Sequence, residues 1–125
     1  MSENKTKDKE SFSVLWVDDD TMISENASDL VEVIGHKCDH VNSGHDALEY
    51  FNKNTYDIIF TDIGMPEMNG WELANAIRNK FGRKIKIVAV TGWDIEVKAK
   101  EEGSIDFVLQ KPFTMEELRK IFLLV

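Results

Sequence analysis

Short apolar blocks alternate with stretches of helical period five times along this chain. Ser13-Val14-Leu15-Trp16-Val17 is the first block, apolar along its length like a strand buried on both faces of a parallel sheet. It stops at Asp18-Asp19-Asp20, which places three acids at its carboxyl end. Ile23, Ala27, Leu30 and Ile34 then recur alternately four and three residues apart, one face of a helix. Asp20 or Thr21 suits its N-cap, and Gly35 its end. Lys37 to Val41 predicts a second, more polar strand, and a polar strand belongs at a sheet edge. Asn42 or Ser43 caps a second helix carrying Ala47, Leu48 and Phe51.

The third block, Tyr56 to Thr61, is rich in β-branched and aromatic residues and reads as a buried strand closed by Asp62. Pro66, Asn69 and Gly70 break the chain into a loop. Trp71 to about Lys80 is a third helix, with Gly82 as its stop. Lys86 to Val90 is a fourth strand, ending at Thr91-Gly92. A charged helix over Ile95 to Glu102 follows and is expected to be the most mobile. Asp106 to Gln110 is the fifth strand, ending at Lys111-Pro112. Thr114 with Glu117 forms a capping box for a last helix bearing Leu118, Ile121, Phe122 and Val125.

Strict β-α alternation implies an α/β fold: a doubly wound, five-stranded parallel sheet with helices on both faces. Of the two common strand orders, an edge position for the second strand favours the flavodoxin-like 2-1-3-4-5. The carboxyl ends of the first and third strands are then neighbours. Asp18, Asp19 and Asp62 share one pocket, with Thr91 and Lys111 arriving from the fourth and fifth strands.

The 125 residues suit one domain over 12–125, preceded by a polar stretch over 1–11 that reads as a disordered tail or linker stub. No apolar run approaches the roughly 18 residues of a membrane span, and the polar N-terminus predicts no signal peptide. One cysteine, Cys38, excludes an internal disulfide and suits a reducing cytosol, so a cytoplasmic location is expected. A net charge of −8 argues against nucleic acid as a partner, because phosphate contacts need a basic surface.

Like charges about 4 Å apart repel by about 4 kcal/mol at an effective dielectric near 20. Three carboxylates in one pocket therefore call for protonation or a cation. Oxygen ligands without His or Cys favour a hard cation such as Mg2+. A metal, an ammonium and a hydroxyl around one carboxylate are what a transferred phosphoryl group requires. The carboxylate is then a nucleophile able to form an acyl phosphate.

Asp18-Asp19, Asp62 followed by Met65-Pro66-x-Met68-Asn69-Gly70, Thr91 and Lys111-Pro112 resemble the receiver domain of two-component response regulators, the chemotaxis regulators included. The resemblance runs from Ser13 to the C-terminus. It implies that Asp62 accepts a phosphoryl group from a sensor histidine kinase or a histidine phosphotransfer protein. It implies Mg2+ bound by Asp19, Asp62 and the Gly64 carbonyl, with Asp18 acting through water. Thr91 and Lys111 would hold the phosphoryl oxygens, the Lys111-Pro112 bond would be cis, and an output domain or downstream protein would read the face of helix 4, strand 5 and helix 5. The domain would catalyse only its own phosphorylation and dephosphorylation. It would stand alone, or belong to a hybrid sensor histidine kinase or larger regulator.

Three residues before Lys111 the family usually carries Tyr or Phe. Here Val108 holds that position and Phe107 lies one earlier, which turns the ring to the opposite face. A muted or rerouted surface change is expected. Gly64 and Trp93, each two residues beyond Asp62 and Thr91, would flank the route of hydrolytic water and push opposite ways. Three rival readings compete. A dehalogenase-like phosphohydrolase lacks its general acid, since Gly64 stands there. A phosphorylation-independent interaction domain would have lost Asp62 or Lys111. A flavin site would need a phosphate loop after the first strand. His36, Cys38 and His40 alternate and could bind zinc with His45 as a fourth ligand, though a plain edge strand is the simpler reading.

Overall fold

A computed structural model describes residues 11–125. The expected tail over 1–11 lies, except for Ser11, outside the described residues. Five strands and five helices alternate: β1 (Ser13–Val17), α1 (Thr21–Ile34), β2 (Lys37–Val41), α2 (Gly44–Lys53), β3 (Ile58–Asp62), α3 (Gly70–Phe81), β4 (Lys86–Thr91), α4 (Glu96–Glu102), β5 (Phe107–Gln110) and α5 (Met115–Leu124). All strand pairs are parallel, in the order β2-β1-β3-β4-β5. This is the expected doubly wound arrangement, with the polar strand at an edge.

The helices start and stop where side chains satisfy their free backbone groups. Asp20, not Thr21, caps α1, accepting from the N–H groups of Met22 and Ile23. Ser43 caps α2, which releases Asn42 for another contact. Asn69 and Glu72 form a capping box, so α3 begins at Gly70, one residue before the expected start. The Thr114–Glu117 box at α5 forms as expected. A Cβ at Gly70 would stand 2.4 Å from the Asp62 carbonyl oxygen, so only glycine lets α3 start against the end of β3.

Strand residues alternate between two apolar layers. Leu15, Val17, Ile59, Ile87 and Ala89 pack under α2, α3 and α4 with Phe51, Leu73, Ile77 and Ala99. Val14, Trp16, Ile58, Phe60, Val88 and Leu109 pack under α1 and α5 with Ala27, Val31, Leu118 and Phe122. Trp16 and Phe60 stack at the centre of the second layer, ring centroids 4.5 Å apart, a pairing that adds about 1 kcal/mol to their burial.

The fifth strand begins at Phe107 because Asp106 has another task. Its carboxylate accepts the Ile87 N–H and pairs with Arg78 from α3. Arg78 also donates to the carbonyls of Ser104, Gly82 and Ile85. One guanidinium on α3 thus fastens the α3–β4 loop to the α4–β5 loop at the end of the sheet away from the acids. Sequence patterning gave no hint of this hub, since a lone Arg on a helix reads as a surface residue.

Candidate functional site

β1 delivers Asp18 and Asp19 beside Asp62 at the end of β3, because these two strands are direct neighbours. Carboxylate oxygens of the three acids lie within 4.8 Å of one another. Among the described residues they are the one group of three or more His, Cys, Asp or Glu with converging ligand atoms. Asp18 is buried, Asp62 half-buried and Asp19 exposed, so the pocket opens outward past Asp19.

Lys111 closes the inner side. Its Nζ stands 3.2 Å from Asp18 Oδ2 and 3.9 Å from Asp62 Oδ1. The Lys111-Pro112 bond is cis. The second Asp18 oxygen, Oδ1, accepts the Asp20 N–H at 2.9 Å. Asp62 Oδ1 accepts the Ile63 N–H at 2.8 Å. Burial pushes the Asp62 carboxyl above its ordinary range, and Asp18 and Asp19 push the same way. Lys111 and the Ile63 N–H oppose that shift and do not cancel it. Three carboxylates face one ammonium, so the site carries more negative charge than its protein partners neutralise. An all-oxygen donor set of this kind fits a hard divalent cation.

Thr91 ends β4 and is buried. Its Oγ1 accepts the Trp93 N–H at 3.1 Å, which leaves the hydroxyl proton to donate. Trp93 and Gly64 are in contact rather than independent, for the Trp93 ring lies against Gly64. Asp20 acts as a helix cap. His36, Cys38 and His40 do not converge. His36 Nδ1 accepts the Phe12 N–H, Cys38 Sγ donates to the Asp39 carbonyl, and His40 faces Ser24. The zinc reading is thereby set aside for the edge-strand one.

The family model described as the response regulator receiver domain matches residues 14–123. The chain belongs to that family. The receiver is 31% identical to the Vibrio cholerae chemotaxis protein CheY4, with a TM-score of 0.84 over 92% of this chain and 98% of that one. It is 30% identical to the response regulator TrrA of Thermotoga maritima, solved in complex with Mg(2+)-BeF, with a TM-score of 0.82 over 91% and 99% of the two chains. Among curated proteins it is 32% identical to the sensor histidine kinase RcsC of Salmonella typhi, over 94% of this chain but 13% of that protein. A CpxR homolog of Haemophilus influenzae is 33% identical over 84% of this chain and 46% of that protein. The chain thus spans less than half the length of these curated relatives. Its relatives are receivers of response regulators and of hybrid kinases, so this is a receiver domain of two-component signalling and not a conventional enzyme. The phosphohydrolase and flavin readings fall with that membership. No helix among the described residues is long and apolar enough to cross a membrane.

The predicted face switch at β5 is present in this receiver. Val108 pairs with Ala89 and packs against the layer under α2 to α4, whereas Phe107 packs against the layer under α1 and α5. No aromatic ring therefore stands at the usual position beside Thr91. Asn42, read only as a possible cap, instead reaches Asp18. Its signal was positional: Val17 pairs with Val41, so Asn42 follows β2 where Asp18 follows β1.

Proposed function

We propose that Asp62 is the phosphoacceptor, taking its phosphoryl group from a phosphohistidine of a sensor histidine kinase or histidine phosphotransfer protein. The observation that carries this reading is the convergence of Asp18, Asp19 and Asp62 with Lys111 between Asp18 and Asp62. An Asp62 carboxylate oxygen attacks phosphorus, the P–N bond to the histidine breaks, and an acyl phosphate forms. The imidazole leaves with its electron pair and takes up a proton. Lys111 donates to a transferred oxygen, and the free Thr91 proton supplies a second donor. Asp19, Asp62 and the Gly64 carbonyl would hold Mg2+, with Asp18 acting through water. The cation would neutralise charge on the transferred oxygens. Water attack on the acyl phosphate returns Asp62 and inorganic phosphate, so the domain turns over only its own modification. A protein with this chemistry acts in the cytoplasm, where kinase and phosphoryl donors meet, and its acidic surface does not suit nucleic acid.

Output is read at the face of α4, β5 and α5. A groove of about 310 Å³ lies there, with Ala99, Val108, Ile121 and Leu124 among its walls. With Val108 in place of an aromatic, Thr91 has no ring to draw inward, and the surface change is muted or takes another route. A phosphomimic-bound structure with a ring swung under Thr91 would refute that.

Intact mass after incubation with acetyl phosphate, with and without Mg2+, tests the central reading. One phosphoryl group is expected on the wild type with Mg2+, and none on Asp62→Asn. No gain from acetyl phosphate or from a kinase would favour a receiver used only as a binding surface.

A further inference from the structure

The peptide unit between Asp18 and Asp19 joins two of the three acids. Its oxygen accepts a hydrogen bond from Asn42 Nδ2 at 2.8 Å. The Asp18 N–H donates to the Val41 carbonyl at 3.2 Å. The end of β2 thus grips Asp18 twice, once through the ladder and once through a side chain. Asn42 is aimed in turn. Its second amide proton goes to Ser24 Oγ at 3.1 Å. Ser24 is fully buried on α1, and its own proton goes to the Thr21 carbonyl at 3.0 Å. With that proton committed, His40 Nδ1, 3.4 Å away, is placed as a second donor to Ser24.

A peptide unit is planar, so holding its oxygen orients the whole unit. That sets ψ of Asp18 and φ of Asp19, and with them the direction in which the Asp19 side chain leaves the chain. Asp18 has further anchors in Lys111 and the Asp20 N–H. Asp19 is exposed, so its backbone is what aims its carboxylate.

We propose that Asn42, aimed by the buried Ser24, is a positioning residue for the acidic pocket: it holds the Asp18–Asp19 peptide so that both carboxylates converge with Asp62 on one cation. This rests on the Mg2+ reading above. Ser43, not Asn42, caps α2, so replacing Asn42 leaves that cap in place.

The test is a Mg2+ titration of the whole chain, followed by NMR at the Asp62 and Ile63 amides, beside melting curves in EDTA. Asn42→Ala is expected to weaken Mg2+ binding about 3-fold to 10-fold, the loss of one modest hydrogen bond. Its melting temperature in EDTA should fall only slightly. Ser24→Ala should weaken binding in the same direction, and adding it to Asn42→Ala should cost nothing further in affinity. Should Asn42→Ala fail to fold, Ser24→Ala carries the test alone. A merely structural tie would lower the melting temperature and leave affinity within twofold of wild type, and that result overturns the proposal. A wild type that shows no Mg2+ response sinks the metal reading and this proposal together. A responsive wild type with an unaltered Asn42→Ala sinks the positioning role alone.

Discussion

The Trp93 ring rests on Gly64 so closely that a Cβ there would stand 3.1 Å from Trp93 Cη2. The Trp93 backbone N–H donates to Thr91 Oγ1 and fixes the loop from which the indole projects, while the residue stays 62% exposed. The two loops that border the acids thus meet through one indole and one bare backbone. A cation drawn to those acids changes the field at the indole. Mg2+ should therefore alter the fluorescence of Trp93, while Trp16, buried in the layer under α1 and α5, should not respond. Titration of wild type and Trp93→Phe checks this. An undiminished response in Trp93→Phe would assign the signal elsewhere.

Asp62→Asn should stabilise the metal-free chain at neutral pH. Burial, Asp18 and Asp19 raise the folded carboxyl above its unfolded value. Between those two values the folded state binds more protons, so stability falls as pH rises through that window. The variant removes this penalty, and its melting temperature at pH 7 should exceed that of wild type by a few degrees. Below the unfolded carboxyl value the difference should vanish. Saturating Mg2+ should reverse the order at pH 7, since wild type then gains binding energy.

Arg78→Ala should cost about 3 kcal/mol, the loss expected on breaking a buried pair. The Arg78 side chain is 10% exposed and its partner Asp106 18%. Removing it also strands the carbonyls of Ser104 and Ile85. Urea unfolding gives the number directly. A loss under 1 kcal/mol would mean that water replaces the guanidinium.

His36 should titrate below its ordinary value, because burial disfavours the imidazolium. Nδ1 accepts the Phe12 N–H at 3.0 Å, and the ring lies 4.2 Å from that of Phe122. A lowered folded value means that the neutral ring contributes stability above about pH 6.5, lost as pH falls through that value toward the folded one. An NMR titration of the His36 ring should show a midpoint under 6.5. His36→Phe should flatten this part of the stability profile between pH 7.5 and 5.5.

The strands were legible because periodicity reports burial directly. Ser13 to Val17 is apolar at nearly every position, as a strand covered on both faces must be, while Lys37 to Val41 is polar and lies at the edge. The acids were legible for a related reason: Asp18-Asp19 closes one apolar run and Asp62 another, and topology alone makes those ends neighbours. Local chemistry also placed the Thr114 cap and the Gly35 stop and narrowed the α2 cap to Asn42 or Ser43, since a cap acts within its own turn. The start of β5 was misplaced by one residue because the Asp106 carboxylate, not a backbone carbonyl, takes the Ile87 N–H, and nothing local records a contact 19 residues away. The same limit hid Asn42. A sequence determines which faces are apolar and which strand ends carry charge, because those depend on a residue and its near neighbours. Only the packed sheet decided that Asn42 reaches the Asp18 carbonyl, that Trp93 lies on Gly64 and that Lys111 stands between two acids. Each is a hydrogen bond, a ring contact or an ion pair between segments that meet through the register of different strands, and such short-range forces exist only once the fold has brought the segments together.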